Sequence, residues 1–197
     1  MDKFKNKYRI PSTRAQWWDY GQNAAYFVTI CTAHRRCYFG SAAATGIQLS
    51  EMGKLAYNYW AEIPKHFPFV ILGEFVIMPN HVHGIVIIDK PGNERLESVQ
   101  PAAATTVETA TTATVQSVTG GKNEQWYPGT LGVVINQYKR YCTIRIRKIY
   151  AGFAWQTRFH DRIIRNHNEY KRIENYIINN PSNWKGDKFM KSCIVAL

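Results

Sequence analysis

Val76-Ile77-Met78-Pro79-Asn80-His81-Val82-His83-Gly84-Ile85-Val86-Ile87-Ile88 is the stretch on which the fold turns. Apolar, often β-branched residues fill both flanks, and Pro79-Asn80 is a turn signal between them. The run predicts two adjacent strands, Phe69 to Met78 and the histidine strand, joined as a tight antiparallel hairpin. Alternate side chains of a strand share a face, so His81 and His83 project together from one side of a sheet. Two imidazoles aimed at one point can bind a metal. The plainer alternative is a structural or incidental pair.

Upstream of the hairpin, Tyr26-Phe27-Val28-Thr29-Ile30-Cys31-Thr32 reads as a first strand. Ser50 can cap a helix whose apolar positions Met52, Leu55, Ala56, Tyr59, Trp60 and Ile63 follow helical spacing up to Pro64, a pattern that core packing explains. Downstream, the composition changes from Pro91 to Gln125, where Ala, Thr, Val and Gln recur without one aromatic residue. Such a segment lacks the large apolar side chains that pack a core, and it predicts a flexible insertion at about 91–128. Leu131, Val134, Ile135, Tyr138, Cys142, Ile146 and Ile149 then form one helical stripe within Leu131 to Tyr150. The other faces of that helix carry Lys139, Arg140, Arg145, Arg147 and Lys148, either as a solvated surface or as a phosphate track. Phe159 to Arg165 reads as a short strand, and Asn168 as the cap of a last helix that Pro181 stops near Asn180.

The resulting order is strand, helix, strand, strand, helix, strand, helix. It predicts an α+β fold, an antiparallel sheet with packed helices, whose first six elements match the ferredoxin-like βαββαβ unit of RRM-like domains. Such a fold serves RNA-recognition modules and enzymes alike, so it leaves function open. With 197 residues, 45% of them hydrophobic, the chain suits one domain over 23–184, preceded by an arm over 1–22 and followed by a tail over 185–197.

Lysine and arginine number 25 against 14 acidic residues, giving a formal charge of +11 and a pI near 9.6. That excess favours a polyanionic partner, nucleic acid before a membrane surface, although a merely soluble basic protein has the same composition. The arm interleaves Lys3, Lys5, Lys7, Arg9 and Arg14 with Trp17, Trp18 and Tyr20, a pattern suited to phosphate contact and base stacking or to packing on the domain. Lys3, Lys5, Arg9, Arg14, Lys139 and Arg140 are the candidate DNA contacts. Cys31, Cys37, Cys142 and Cys193 make no Cys-x-x-Cys pair, and no signal-peptide core opens the chain, so a reduced, cytoplasmic protein is expected. No apolar run reaches the roughly 18 residues of a membrane span.

The last helix adds a second half to the histidine pair. Tyr176 and Asn180 stand four residues apart and share a helix face, roughly 6 Å apart along the axis. If His81, His83 and Asn180 held a divalent cation, it could polarise a phosphodiester while the Tyr176 oxygen attacked phosphorus. Tyrosine, with an ordinary pKa of about 10, needs a nearby cation or base for this role. Ile173 and Ile177 mark an apolar stripe that Tyr176 borders, so a core role competes.

Tyr26 to Thr32, Val76 to Gly84, Phe153-Ala154-Trp155-Gln156, His160-Asp161-Arg162-Ile163-Ile164-Arg165 and Tyr176-Ile177-Ile178-Asn179-Asn180-Pro181 together resemble the HUH-type single-tyrosine transposases, and within them the REP-associated tyrosine transposases. The resemblance implies a DNA strand transferase acting on single-stranded or hairpin DNA. It implies Mg²⁺ or Mn²⁺ at His81 and His83, with Asn180 as third ligand and Tyr176 as the nucleophile that forms a 5′-phosphotyrosine link. Many such enzymes have glutamine where Asn180 stands, and the Ala/Thr-rich insertion departs from their compact pattern. His160 is a competing ligand. Monomers and homodimers both occur among such enzymes. The rival from another class is a non-catalytic RRM-like module that binds single-stranded nucleic acid; a phosphoesterase using water attack is a third reading.

Overall fold

The computed structural model describes residues 3–4, 7–8, 17–43, 46–91 and 128–184. Two short strands, β1 (Lys3–Phe4) and β2 (Lys7–Tyr8), pair antiparallel at the start of the chain. Then come β3 (Ala24–Cys31), β4 (Gly40–Ala43), β5 (Gly46–Leu49), α1 (Glu51–Ala61) and the single-turn α2 (Ile63–His66). The order continues with β6 (Val70–Met78), β7 (His81–Ile88), α3 (Leu131–Ile146), β8 (His160–Ile164) and α4 (His167–Asn179).

Four strands form the central sheet in the order β6-β7-β3-β8, each neighbour antiparallel to the next. This bears out the α+β reading: the hairpin at Pro79-Asn80 pairs β6 with β7, and the first strand lies between the histidine strand and β8. The buried residues divide between two faces. Tyr26, Val28, Ile30, Val82 and Val86 pack with Trp60 of α1 and with Val134, Ile135 and Tyr138 of α3. Ala25, Ile85, Ile87 and Ile164 pack with Tyr170, Ile173 and Ile177 of α4. Because α4 covers only part of its face, the histidine end of the sheet meets the C-terminal half of that helix.

Several local expectations are corrected. The side chain of Asn166, not Asn168, caps α4, accepting from Glu169 N–H at 2.9 Å; Asn168 already lies inside the first turn. Ser50 caps α1 as expected, with Oγ accepting from Gly53 N–H. That helix ends at Ala61, and Pro64 lies in the first turn of α2, where its missing N–H costs no bond. The β4-β5 hairpin was not expected, since Gly40 to Leu49 lacks the strand-formers that mark β6 and β7. Cys31 and Cys142 are free and buried, whereas Cys37 is disulfide-bonded, so the expectation of a fully reduced chain fails at Cys37. The insertion and the C-terminal tail lie outside the described residues, apart from Pro91 and Pro128 at the insertion's edges. Among the described residues no helix is long and apolar enough to cross a membrane.

Candidate active site

His81 and His83 stand on the α4 face of β7, with ring centroids 4.4 Å apart, and are buried at 0% and 2% exposure. Their outer nitrogens are oriented from behind. Asn80, in the hairpin turn, donates from Nδ2 to the Arg35 carbonyl at 3.1 Å, which directs its Oδ1 toward His81 Nδ1 at 2.8 Å. An amide oxygen only accepts, so His81 carries its proton on Nδ1 and its lone pair on Nε2. Thr32 N–H and Oγ1–H both donate to the Asn80 carbonyl, locking this turn to the end of β3. His83 Nδ1 lies 2.8 Å from Thr29 Oγ1 on the neighbouring strand, which is its direct register partner.

The helix brings the rest. Tyr176 is 45% exposed, and its hydroxyl lies 3.4 Å from His83 Nε2. Phe27 stacks on His83 at 5.3 Å between centroids and meets Tyr176 edge-on at 6.0 Å, fixing the two rings relative to each other. Tyr176 therefore sits on the rim of the apolar stripe rather than in it, while Ile173 and Ile177 are buried. One turn further, Asn180 is 3% exposed, and its buried Oδ1 has no hydrogen-bond partner. Past Pro181 the chain packs Trp184 against His81 at 5.8 Å. Tyr176 and Trp184, each four residues from Asn180 along the chain, thus contact His83 and His81 respectively.

His160 lies in β8 opposite Thr29, exposed on the same sheet face. It does not join the pair, since no three His, Cys, Asp or Glu side chains converge among the described residues. Of the candidate DNA contacts, Lys5, Arg9 and Arg14 lie outside the described residues, and Lys3 belongs to β1. Arg140 is exposed on α3. The Lys139 ammonium instead donates to the Gln156 carbonyl at 2.7 Å, and burial pulls its pKa down to about 8. Lys139 thus latches the segment before β8 onto α3. Thr29, Asn80, Phe27 and Trp184 escaped the sequence reading as site residues. Only Thr29 carried a signal: strand alternation puts it on the face of Phe27 and Cys31.

No protein-family model matches the chain. An uncharacterized protein of Haemophilus influenzae is 33% identical over 178 residues, covering 90% of this chain and 91% of that protein. The chain belongs to the family of that Haemophilus protein. Among solved structures, a REP-associated tyrosine transposase bound to a REP hairpin superposes with a TM-score of 0.55 at 16% identity, covering 90% of this chain and 77% of the other. The family's sheet-and-helix architecture is therefore shared with a tyrosine transposase, and the likeness at that identity concerns the fold.

Proposed function

We propose that the protein is a metal-dependent HUH-type transposase that cleaves and rejoins single-stranded or hairpin DNA through a covalent 5′-phosphotyrosine intermediate. The observation that carries this reading is Tyr176, a half-exposed helical phenol 3.4 Å from His83 Nε2 in a fold shared with a REP-associated tyrosine transposase.

The donor set fits a hard divalent cation. Two imidazoles oriented through Nδ1 and a buried amide oxygen without a partner make an N, N, O set that leaves room for water and phosphate oxygens. Such a set suits Mg²⁺ or Mn²⁺ better than a closed structural zinc site, which takes four protein ligands and favours cysteine. His81, His83 and Asn180 would hold the ion, which supplies positive charge beside the scissile phosphate when bound.

The chain's own residues do the rest. Tyr176 gives its proton to solvent, its oxygen forms a bond to phosphorus, and the P–O3′ bond breaks. The 3′ oxygen leaves as a 3′-OH on taking up a proton, and the 5′ phosphate stays on Tyr176. Attack by an acceptor 3′-OH reverses these bonds and joins the strands. His83 Nε2 has one lone pair, so it can accept from the phenol or bind the ion, not both. The 3.4 Å spacing is long for a hydrogen bond, which leaves the phenol easy to redirect. Phe27 holds the rings of His83 and Tyr176 in place in either state.

The test is incubation with hairpin DNA carrying a single-stranded flank, with and without Mg²⁺ or Mn²⁺. Strand cleavage with a denaturation-resistant protein–DNA adduct is expected only with the ion. Tyr176→Phe should abolish the adduct and leave DNA binding intact. An adduct formed by that variant sinks the assignment. Cleavage without an adduct favours water attack, and binding without cleavage favours the non-catalytic module.

A further inference from the structure

Beside β8 lies a cleft of about 350 Å³ that the site above does not use. Its volume is at the small end of ligand sites, which run from roughly 300 to 1,000 Å³. Trp17 and Tyr20 line it from the segment before β3, Asp161, Arg162, Ile163 and Arg165 from β8 and its end, and Glu169 from α4. Among the described residues β8 is an edge strand, paired only with β3, so the cleft opens along an unpaired sheet edge.

The aromatic wall is held firmly. The Tyr20 carbonyl accepts from Leu131 N–H at the start of α3, and Tyr20 stacks on Tyr26 at 5.7 Å. Trp18 Nε1–H donates to the Tyr26 hydroxyl at 3.0 Å. Trp17 meets Trp18 edge-on and is itself 74% exposed. A tryptophan presented on an anchored turn, with its face in solvent, is a stacking platform.

The lining from β8 and α4 is sorted by charge. Arg162 is spent on Glu169 at 2.6 Å, and the Glu169 carboxylate also accepts from Arg165 N–H at 3.0 Å. Burial raises the Glu169 pKa, but that backbone bond and the nearby Arg162 and Arg172 outweigh it and hold the carboxyl below its usual 4.5. The Arg165 guanidinium is exposed and forms no ion pair among the described residues. A flat ring face beside an unspent cation matches one nucleotide, base on the ring and phosphate on the guanidinium.

Position ties the cleft to the histidine site. His160 opens β8 opposite Thr29, whose hydroxyl touches His83, and Ile163 in the cleft is three residues further, about 10 Å at strand rise. A strand leading away from Tyr176 along β8 passes the cleft. We propose that the β8 cleft is a separate DNA subsite that takes one unpaired nucleotide of the substrate, its base stacked on Trp17 and its phosphate on Arg165. This rests on the reading of the protein as a DNA-processing enzyme.

The experiment uses the full chain and a hairpin oligonucleotide with a single-stranded tail, 2-aminopurine replacing one tail base at a time. Binding should quench the probe at one tail position. Trp17→Ala should abolish that quenching and weaken binding roughly 5- to 150-fold, the span of base–aromatic stacking. Trp17 is exposed, so the variant keeps its fold. Arg165→Ala should lower the log-log salt slope of binding by about 0.7, one phosphate contact on a single strand. A position-specific quench that depends on Trp17 supports the subsite whether or not Tyr176 forms an adduct. An even or absent quench, or one unchanged in Trp17→Ala, overturns it, even where the adduct forms.

Discussion

At the residue scale, the site depends on hydrogen bonds made behind the imidazoles. Thr29 Oγ1 is the partner of His83 Nδ1, so in the ligand-binding tautomer Nδ1–H donates to Thr29 and Nε2 faces Tyr176. Thr29→Val keeps the shape and removes that acceptor. Losing such a partner typically costs roughly 10- to 100-fold in metal affinity, and an unmet buried donor costs about 1–3 kcal/mol of stability. We expect the Mn²⁺ concentration for half-maximal adduct formation to rise accordingly in a metal titration, with a lowered unfolding midpoint. An unchanged requirement would mean that Thr29 does not set the tautomer. Asn80 plays the corresponding part for His81 through a contact between neighbours in sequence.

At the element scale, the histidine strand is held flat against α1 by an absent side chain. A Cβ on Gly84 would fall 2.3 Å from Trp60 Cζ2 and 2.8 Å from Cε2, inside any real contact distance. Trp60 is fully buried and wedged against Tyr138 and Phe75, so it has nowhere to retreat. Gly84→Ala should therefore destabilise the protein by about 1–3 kcal/mol, the range for overpacked cores, read from urea unfolding. Because Gly84 adjoins His83, the variant should also lose cleavage activity. A stability change under about 0.5 kcal/mol, ordinary for a surface site, would show that Trp60 can move.

At the scale of the whole molecule, the sheet separates two jobs. One face buries α1 and α3 in the larger core, and the other receives α4 and carries the histidines, Tyr176 and the start of the β8 edge. The formal charge of +11 supplies long-range attraction to a polyanion without fixing where it docks. DNA binding should weaken with salt, with a log-log slope of roughly −0.7 for each single-strand phosphate neutralised. Fluorescence anisotropy across a salt series measures it, and a salt-insensitive complex would contradict an electrostatic interface. Arg140→Ala should reduce the slope if α3 contributes to the interface, whereas Lys139, committed to the Gln156 carbonyl, should affect the slope less than the fold.

Local patterning alone determined the order of the four central strands and the three long helices, the hairpin at Pro79-Asn80 and the shared face of His81 and His83, because strand and helix periods are written in consecutive residues. It also put Tyr176 and Asn180 on one helix face. Only tertiary structure decided that α4 lies against the histidine side of the sheet, that Tyr176 stands at the rim while Ile177 is buried, and that Thr29 and Asn80 orient the imidazoles. Only there, too, do Trp17 and Arg165 come to line one cleft. Apart from the contact between Asn80 and His81, these pairings join residues far apart in the chain, and they depend on strand register, helix packing and competition for buried hydrogen bonds, none of which leaves a periodic trace. The His81-Val82-His83 motif was legible because its geometry is local; the contacts of Thr29, Phe27 and Trp184 with it were not, because they are made by folding.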